Sequence, residues 1–333
     1  MTPGASPTDQ PLGSPAPGPS ARAPSLITGV TGQDGSILAE LLLAEGREVV
    51  GVVRPGSPPH PSVPTVEADL LDAPALRAAI VDAAPAEVFH LAAPAFVPAS
   101  WDDPAGTMAA IAGATAVVLG AAREVGARVL VASSAEIFRA SGVSPQREDT
   151  PPRPASPYGV AKLAAHELCG VLRSRGLFAC SIVAYNHESP RRPERYVTRT
   201  LSRGAAAVKL GLEKEVLVGD LEARRDWLHA SDVVRGMVLA LRHSEPGDYV
   251  LASGVARTVR EFADAAFGVV GLEAAPYLRV DESLVRPPET TVACGDASRA
   301  RDVLGWEPRI GFEAMVREMV EADLHRLSGH SEG

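Results

Sequence analysis

Between Ser25 and Tyr185, short apolar runs alternate with longer amphipathic stretches. Ser25–Thr28, Glu48–Val53, Thr65–Ala68, Glu87–Leu91, Arg128–Ser133 and Phe178–Tyr185 are rich in Val, Ile, Leu or Phe and bounded by Gly, Pro or Asp. That pattern predicts strands. Between them, Gly35–Glu45, Ala73–Ala83, Gly106–Glu124 and Pro157–Ser174 carry the spacing of helices. Apolar strands that alternate with helices predict an α/β fold, a doubly wound parallel sheet covered on both faces. After Tyr185 the rhythm becomes irregular. Helical stretches near Val197–Leu210, Ser231–Leu241, Thr258–Val269 and Gly311–His325 are separated by Pro-rich or charged links. They predict a smaller, mixed α/β C-terminal domain over 186–327, with some of its segments returning to the first domain, 25–185. No internal repeat is visible.

The 333 residues agree with about two domains at ~150 residues each. Residues 1–24 are almost wholly Pro, Gly, Ala, Ser and Thr, with Leu12 the one large aliphatic besides Met1. Such a segment buries too little to offset its ordering entropy, so a disordered tail is expected, and a short second one at 328–333. The basic start and apolar stretch of a secretory signal are missing. Lys plus Arg number 32 against 41 Asp plus Glu, a net charge of −9, which argues against a sequence-independent nucleic-acid binder. No stretch is expected to reach the ~20 apolar residues that span a bilayer. Cys169, Cys180 and Cys294 show no C-x-x-C spacing, so neither a disulfide framework nor a cysteine metal site is expected, and a cytoplasmic setting is.

Four clusters carry chemistry. The first strand runs into Thr28-Gly29-Val30-Thr31-Gly32-Gln33-Asp34-Gly35 and then a helix. Glycines so spaced permit a tight turn, close approach of backbone N–H groups to a pyrophosphate, and close helix–strand packing. Opening a βαβ pattern, they predict a Rossmann dinucleotide site rather than a merely structural turn. Arg54 follows the second strand, where an NAD site would place an acid, so NADP is expected, with NAD as the alternative if Arg54 is only a solvated loop residue. Asp69-Leu70 follows the third strand, at the level of an adenine ring or in a plain turn. The loop Arg54–Pro64 holds five prolines in eleven residues and should be stiff and extended.

Tyr158 and Lys162 follow Ser156-Pro157 at i and i+4, one helical face. An ammonium beside the phenol would favour phenolate and make Tyr158 a base; alone, the pair could equally be two surface side chains. Ser134 and Glu136 follow the fifth strand, where a doubly wound sheet opens its ligand crevice.

These clusters, with Ile27–Ser36, Ser156–Leu163, Asn186-His-Glu-Ser-Pro-Arg-Arg192 and Arg225–Ala230, resemble the extended short-chain dehydrogenase/reductase family of nucleotide-sugar enzymes, most closely its GDP-mannose 4,6-dehydratase branch. Arg286-Pro287 and Leu304–Trp306 also look like family features. The resemblance implies a catalytic set of Ser134, Glu136, Tyr158 and Lys162. It implies cofactor contacts from Gly29, Gly32, Gln33, Asp34, Gly35, Arg54, Asp69, Leu70, Leu91, Ala93, Tyr158, Lys162, His187 and Arg192. It implies that Asn186, Arg225 and Arg286 hold a GDP-sugar diphosphate, and that two helices per subunit, near Gly106–Glu124 and Pro157–Ser174, pair into a homodimer.

Three positions depart from the branch. Ser134-Ala135-Glu136 stands for Thr-Ser-Glu, Pro94-Ala95-Phe96 for Gln-Ser-His, and Arg54–Pro64 for a longer, arginine-rich tetramer-forming loop. The implied reaction is transient C4 oxidation, loss of the 6-hydroxyl and return of hydride to C6. The rival is a 4-epimerase through the same 4-keto intermediate, which Ser133-Ser134-Ala135 resembles but which gains nothing from Glu136. A uronic-acid decarboxylase and a non-catalytic NADP-sensing protein are more remote; the second typically lacks the Tyr or Lys.

Overall fold

The computed structural model describes residues 23–285 and 291–329. Arg286 and most of the two expected tails fall outside them. In chain order the first half comprises β1 (Ser25–Thr28), α1 (Gln33–Ala44), β2 (Val49–Val53), β3 (Thr65–Glu67), α2 (Ala73–Ala83), β4 (Glu87–His90), α3 (Pro104–Met108), α4 (Ala114–Val125), β5 (Arg128–Ala132), α5 (Pro157–Arg173) and β6 (Ala179–Ala184). Then follow β7 (Asn186–Glu188), α6 (Val197–Lys209), β8 (Val216–Val218), β9 (Arg224–His229), α7 (Ala230–Arg242), β10 (Asp248–Leu251), β11 (Ala256–Thr258), α8 (Val259–Val269), β12 (Leu278–Val280), α9 (Ser298–Leu304) and α10 (Phe312–Gly329).

Seven strands form one sheet in the order β10-β6-β5-β4-β1-β2-β3, parallel throughout. The order reverses between β1 and β4, so the loops leaving those strands part and open a crevice at their carboxyl ends. Leu38 and Leu42 of α1 pack with Met237 and Leu241 of α7 on one face of the sheet. Leu76 and Ile80 of α2, Val118 and Leu119 of α4, and Ala165 and Cys169 of α5 cover the other. A third core joins Trp227, Phe262, Phe267, Met315 and Met319 in the C-terminal half.

Local chemistry sets the element starts. Asp72 accepts from the Ala75 N–H at 3.0 Å at the head of α2, and Ser156 from the Gly159 N–H at 3.1 Å at the head of α5. Thr258 and Glu261 form a reciprocal capping box on α8.

Several expectations are corrected. The helix foreseen over Gly106–Glu124 begins at Pro104 and is interrupted by a π turn, Ala109–Gly113, after which the Thr115 hydroxyl donates to the Ile111 carbonyl at 2.7 Å. Contrary to the expected absence of long apolar stretches, Pro104–Val125 is long and apolar enough, by length and composition, to cross a membrane. Its Ala, Gly and Val give that hydropathy, and one side of it is core against α2 and α5. The terminal helix continues past His325 to Gly329. Six short strands after Tyr185 were not foreseen, because three- to six-residue strands carry too little periodicity; one of them, β10, is an edge of the main sheet. The loop Arg54–Pro64 contains no helix, as expected; it turns at Arg54–Ser57 and buries Val63.

Candidate active site

The turn between β1 and α1 is built of backbone. Gly29 has φ +73°, and a Cβ on Gly35 would lie 2.1 Å from the Gly29 carbonyl oxygen. No side chain caps α1 at Gly32. An uncapped helix N-terminus behind a turn whose glycines Gly29 and Gly35 leave no room for a Cβ fits the pyrophosphate of a nicotinamide dinucleotide.

Thr28 organises the opposite side of this turn. Its hydroxyl oxygen accepts from the Leu91 and Ala92 N–H groups, both at 3.1 Å, and lies 2.8 Å from His90 Nδ1. With both lone pairs engaged, the Thr28 proton is left to donate to Nδ1, which fixes His90 as the Nε2–H tautomer. Burial, then the neighbouring Lys162 charge, pushes His90 down to about 3, so the ring is neutral. The network draws Ala92 against Gly29, where a Cβ would meet the Ala92 Cα at 3.0 Å. Leu91 and Ala93 leave β4 here, half-buried. Sequence reasoning missed Thr28 and His90, since nothing in either run marks a contact between residues 62 apart.

Gln33 and Asp34 reach toward the segment of β7. Gln33 Nε2 donates to the His187 carbonyl at 3.1 Å, its Oε1 accepts from Ser189 Oγ at 2.8 Å, and His187 Nε2 lies 2.9 Å from Asp34 Oδ2. Burial opposes charge on both partners, but their mutual attraction and hydrogen bonding prevail: Asp34 is held below and His187 above its ordinary value. Arg54 is exposed at the end of β2, and Asp69 forms a turn with the Leu71 N–H at 2.8 Å while half-buried Leu70 packs on the core.

The structure brings Ser134, Glu136 and Tyr158 together. Ser134 starts the short helix Ala135–Phe138 and accepts from the Glu136 N–H at 3.3 Å. Gly159 allows that helix to sit on α5, since a Cβ there would lie 2.9 Å from the Glu136 carbonyl. Tyr158 is buried at the first turn of α5. Burial pushes its phenol up, Glu136 and Tyr196 push it further, and a hydrogen bond with Ser134 and the Arg192 charge work the other way.

Lys162 is placed differently from expectation. Its ammonium donates to the Ala132 carbonyl at 2.6 Å and lies 5.8 Å from the Tyr158 ring centroid. Burial brings Lys162 down to about 8, and Asp34 opposes this. The expected depression of Tyr158 is therefore absent in this state, because desolvation of the phenol outweighs the cations around it.

Asn186 opens β7, opposite Trp227 of β9, and Arg225 lies on the same small sheet with its guanidinium on the Arg224 carbonyl at 2.6 Å. Arg192 stacks over the Tyr196 ring at 3.7 Å and lies 3.3 Å from the buried Glu188 carboxylate.

Residues 26–319 match the family described as GDP-mannose 4,6 dehydratase. The chain is similar to GDP-mannose 4,6 dehydratase 2 of Arabidopsis thaliana, 42% identical over 323 residues, covering 90% of this chain and 86% of that protein. Among solved structures it is similar to RMD from Pseudomonas aeruginosa complexed with NADPH (TM-score 0.77, 26% identity, 91% of this chain and 99% of that one). It is also similar to Thermus thermophilus UDP-glucose 4-epimerase in complex with NAD (TM-score 0.79, 28% identity, 90% of this chain and 98% of that one).

Proposed function

The chain belongs to the GDP-mannose 4,6-dehydratase family, and we propose that it is an NADP-dependent 4,6-dehydratase of GDP-mannose or a closely similar GDP-sugar. One observation supports this reading: Ser134 and Glu136 begin a short helix that packs on the helix of Tyr158, with Ser134 accepting from the Glu136 N–H at 3.3 Å and Gly159 against the Glu136 carbonyl, so in this reading the Glu136 carboxylate serves the carbon next to the oxidised one. Tyr158 takes the proton of the 4-hydroxyl, with Ser134 orienting the phenol. A nicotinamide held at the glycine turn would supply the hydride chemistry, taking hydride from C4 and giving it back at C6. Glu136 removes the proton at C5, acidified by the 4-keto group, and delivers it to the 6-oxygen, which leaves as water; once hydride has added at C6, the enolate takes a solvent-derived proton at C5. This double duty follows from Ala135, which has no hydroxyl and packs its methyl against the core.

Lys162, His187 and Arg192 supply the positive charge around the cofactor site, and Arg54 at the end of β2 suits a 2′-phosphate, which supports NADP over NAD. Asn186, Arg225 and Arg286 are the proposed holders of the diphosphate; Arg286 is proposed from sequence, outside the described residues. The apolar residue at Ala135 favours a second reading, a 4-epimerase. Incubation with GDP-mannose separates them: the dehydratase yields a product lighter by one water, the epimerase an isomer of unchanged mass.

We propose further that the enzyme is a homodimer. The Pro104–Val125 helix exposes Ala109, Gly113, Ala116 and Gly120, and α5 exposes Val160 and Val171. Small residues on one helix and valines on the next allow close, self-complementary packing about a twofold axis.

A further inference from the structure

We propose that Phe96 and Tyr196 form an aromatic wall of the sugar site that sets specificity beyond C5, favouring a GDP-hexose over a GDP-heptose. This rests on the GDP-sugar reading above and names the edge of the sugar that the site selects.

Phe96 belongs to the turn after β4, and Tyr196 immediately precedes α6. Their ring centroids are 5.9 Å apart at 88°, an edge-to-face contact between the loop after β4 and the residue before α6. Arg192 stacks on the Tyr196 ring at 3.7 Å, and the Arg195 guanidinium carbon is 5.3 Å from both rings. The contact and the two cations fix the rings, yet each remains half-buried, leaving apolar surface to meet a ligand.

The segment that carries Phe96 adjoins the reacting centre. Ala93 and Val97, on either side of Phe96, pack on the core cluster that includes Tyr158, whose phenol Tyr196 and Arg192 also influence. Phe96 continues the chain from Leu91 and Ala92, which Thr28 clamps beside the glycine turn. The proposal sets these rings along the open side of a sugar whose 4-hydroxyl meets Tyr158.

Pro94, Ala95 and Phe96 offer no side-chain donor or acceptor. A hexose ends in one hydroxymethyl group, whose oxygen leaves in the proposed reaction. A heptose adds a carbinol whose hydroxyl would be pressed against aromatic carbon with no partner, and an unmet hydrogen bond is costly.

An apolar wall rejects an added hydroxyl only moderately, so in one-pot competition GDP-mannose should be consumed about 10–100-fold more efficiently than GDP-D-glycero-D-manno-heptose. Phe96→His, which restores a polar group, should narrow that ratio to within about threefold, since one hydrogen bond then compensates the hydroxyl. The same variant should bind NADPH as before, which a merely structural role for Phe96 would not predict. Tyr196→Phe keeps the ring contact and should keep the ratio. Equal use of both sugars by the unaltered enzyme, or an unchanged ratio in Phe96→His, overturns the inference and leaves the GDP-sugar reading intact. If neither sugar is consumed or bound, that reading fails and the inference with it.

Discussion

Nε2 of His187 lies 2.9 Å from Oδ2 of Asp34, tying the first turn of α1 to β7, 153 residues further along the chain. The contact joins the glycine-turn helix to the segment that carries Asn186 and Arg192. Side-chain exposures of 15% and 22% make it a partly buried ion pair.

Replacing Asp34 by Asn should remove the attraction and leave burial and the Arg192 charge acting on His187 to outweigh its hydrogen bond to the Tyr185 carbonyl. Its imidazole pKa, followed by NMR, should fall from above to below 6.5. Loss of a charged hydrogen bond should cost about 1.5–3 kcal/mol of stability. Asp34 is lowered and His187 raised, so the pair contributes fully between their ordinary values of 3.8 and 6.5. The contribution is lost as acid protonates Asp34 below that window, or as His187 deprotonates above it.

His90 gives the opposite sign. Its pKa is about 3 in the fold against 6.5 when unfolded, so between those values the unfolded chain binds the extra proton and acid destabilises the protein. Denaturant titrations across this range should show a slope from this residue of about 1.4 kcal/mol per pH unit. His90→Asn, whose amide oxygen can accept from Thr28, should flatten that component. An unchanged slope in the variant would mean that His90 titrates normally.

The contrast between these residues shows what the sequence made legible. The glycine turn, Ser134, Glu136 and Tyr158 were readable because each is fixed by local backbone geometry at the end of a strongly apolar strand or the start of a capped helix. Asp34 and Gln33 were expected as cofactor contacts, but their bonds to His187 and Ser189 were not legible, because α1 alone gives no hint that β7 lies across its first turn. Phe96 was visible as an apolar substitution, but its meeting with Tyr196 depends on two loops that only the folded sheet brings together. The Lys162 effect on Tyr158 was misjudged for another reason: i, i+4 spacing sets proximity, whereas the depth of the phenol sets its ionisation.

Cofactor choice is testable at Arg54. The unaltered protein should bind NADP more tightly than NAD, and Arg54→Asp should reverse that order by exchanging a phosphate partner for a ribose-hydroxyl partner. Calorimetric titration with both dinucleotides checks this. An order indifferent to the substitution would remove Arg54 from the site.

Light scattering should report a dimer, about twice 34.7 kDa, in keeping with closed twofold symmetry. Val160→Glu places a charge on the exposed face of α5, where the native valine is 46% exposed, and should yield monomer with the fold intact. A variant that remains dimeric by scattering would place the interface elsewhere.

The dehydratase reading depends most on Glu136. Glu136→Gln keeps size and hydrogen bonding but removes the base for C5, so elimination should fall by about 10²–10⁴ while C4 oxidation proceeds. The variant should then reduce bound NADP on adding GDP-mannose and stall there. The most direct measurement is turnover of GDP-mannose by the unaltered enzyme in D₂O, with the product analysed by NMR and mass. The account predicts a 4-keto-6-deoxy product carrying solvent deuterium at C5. An isomerised sugar of unchanged composition with no deuterium at C5 would contradict it.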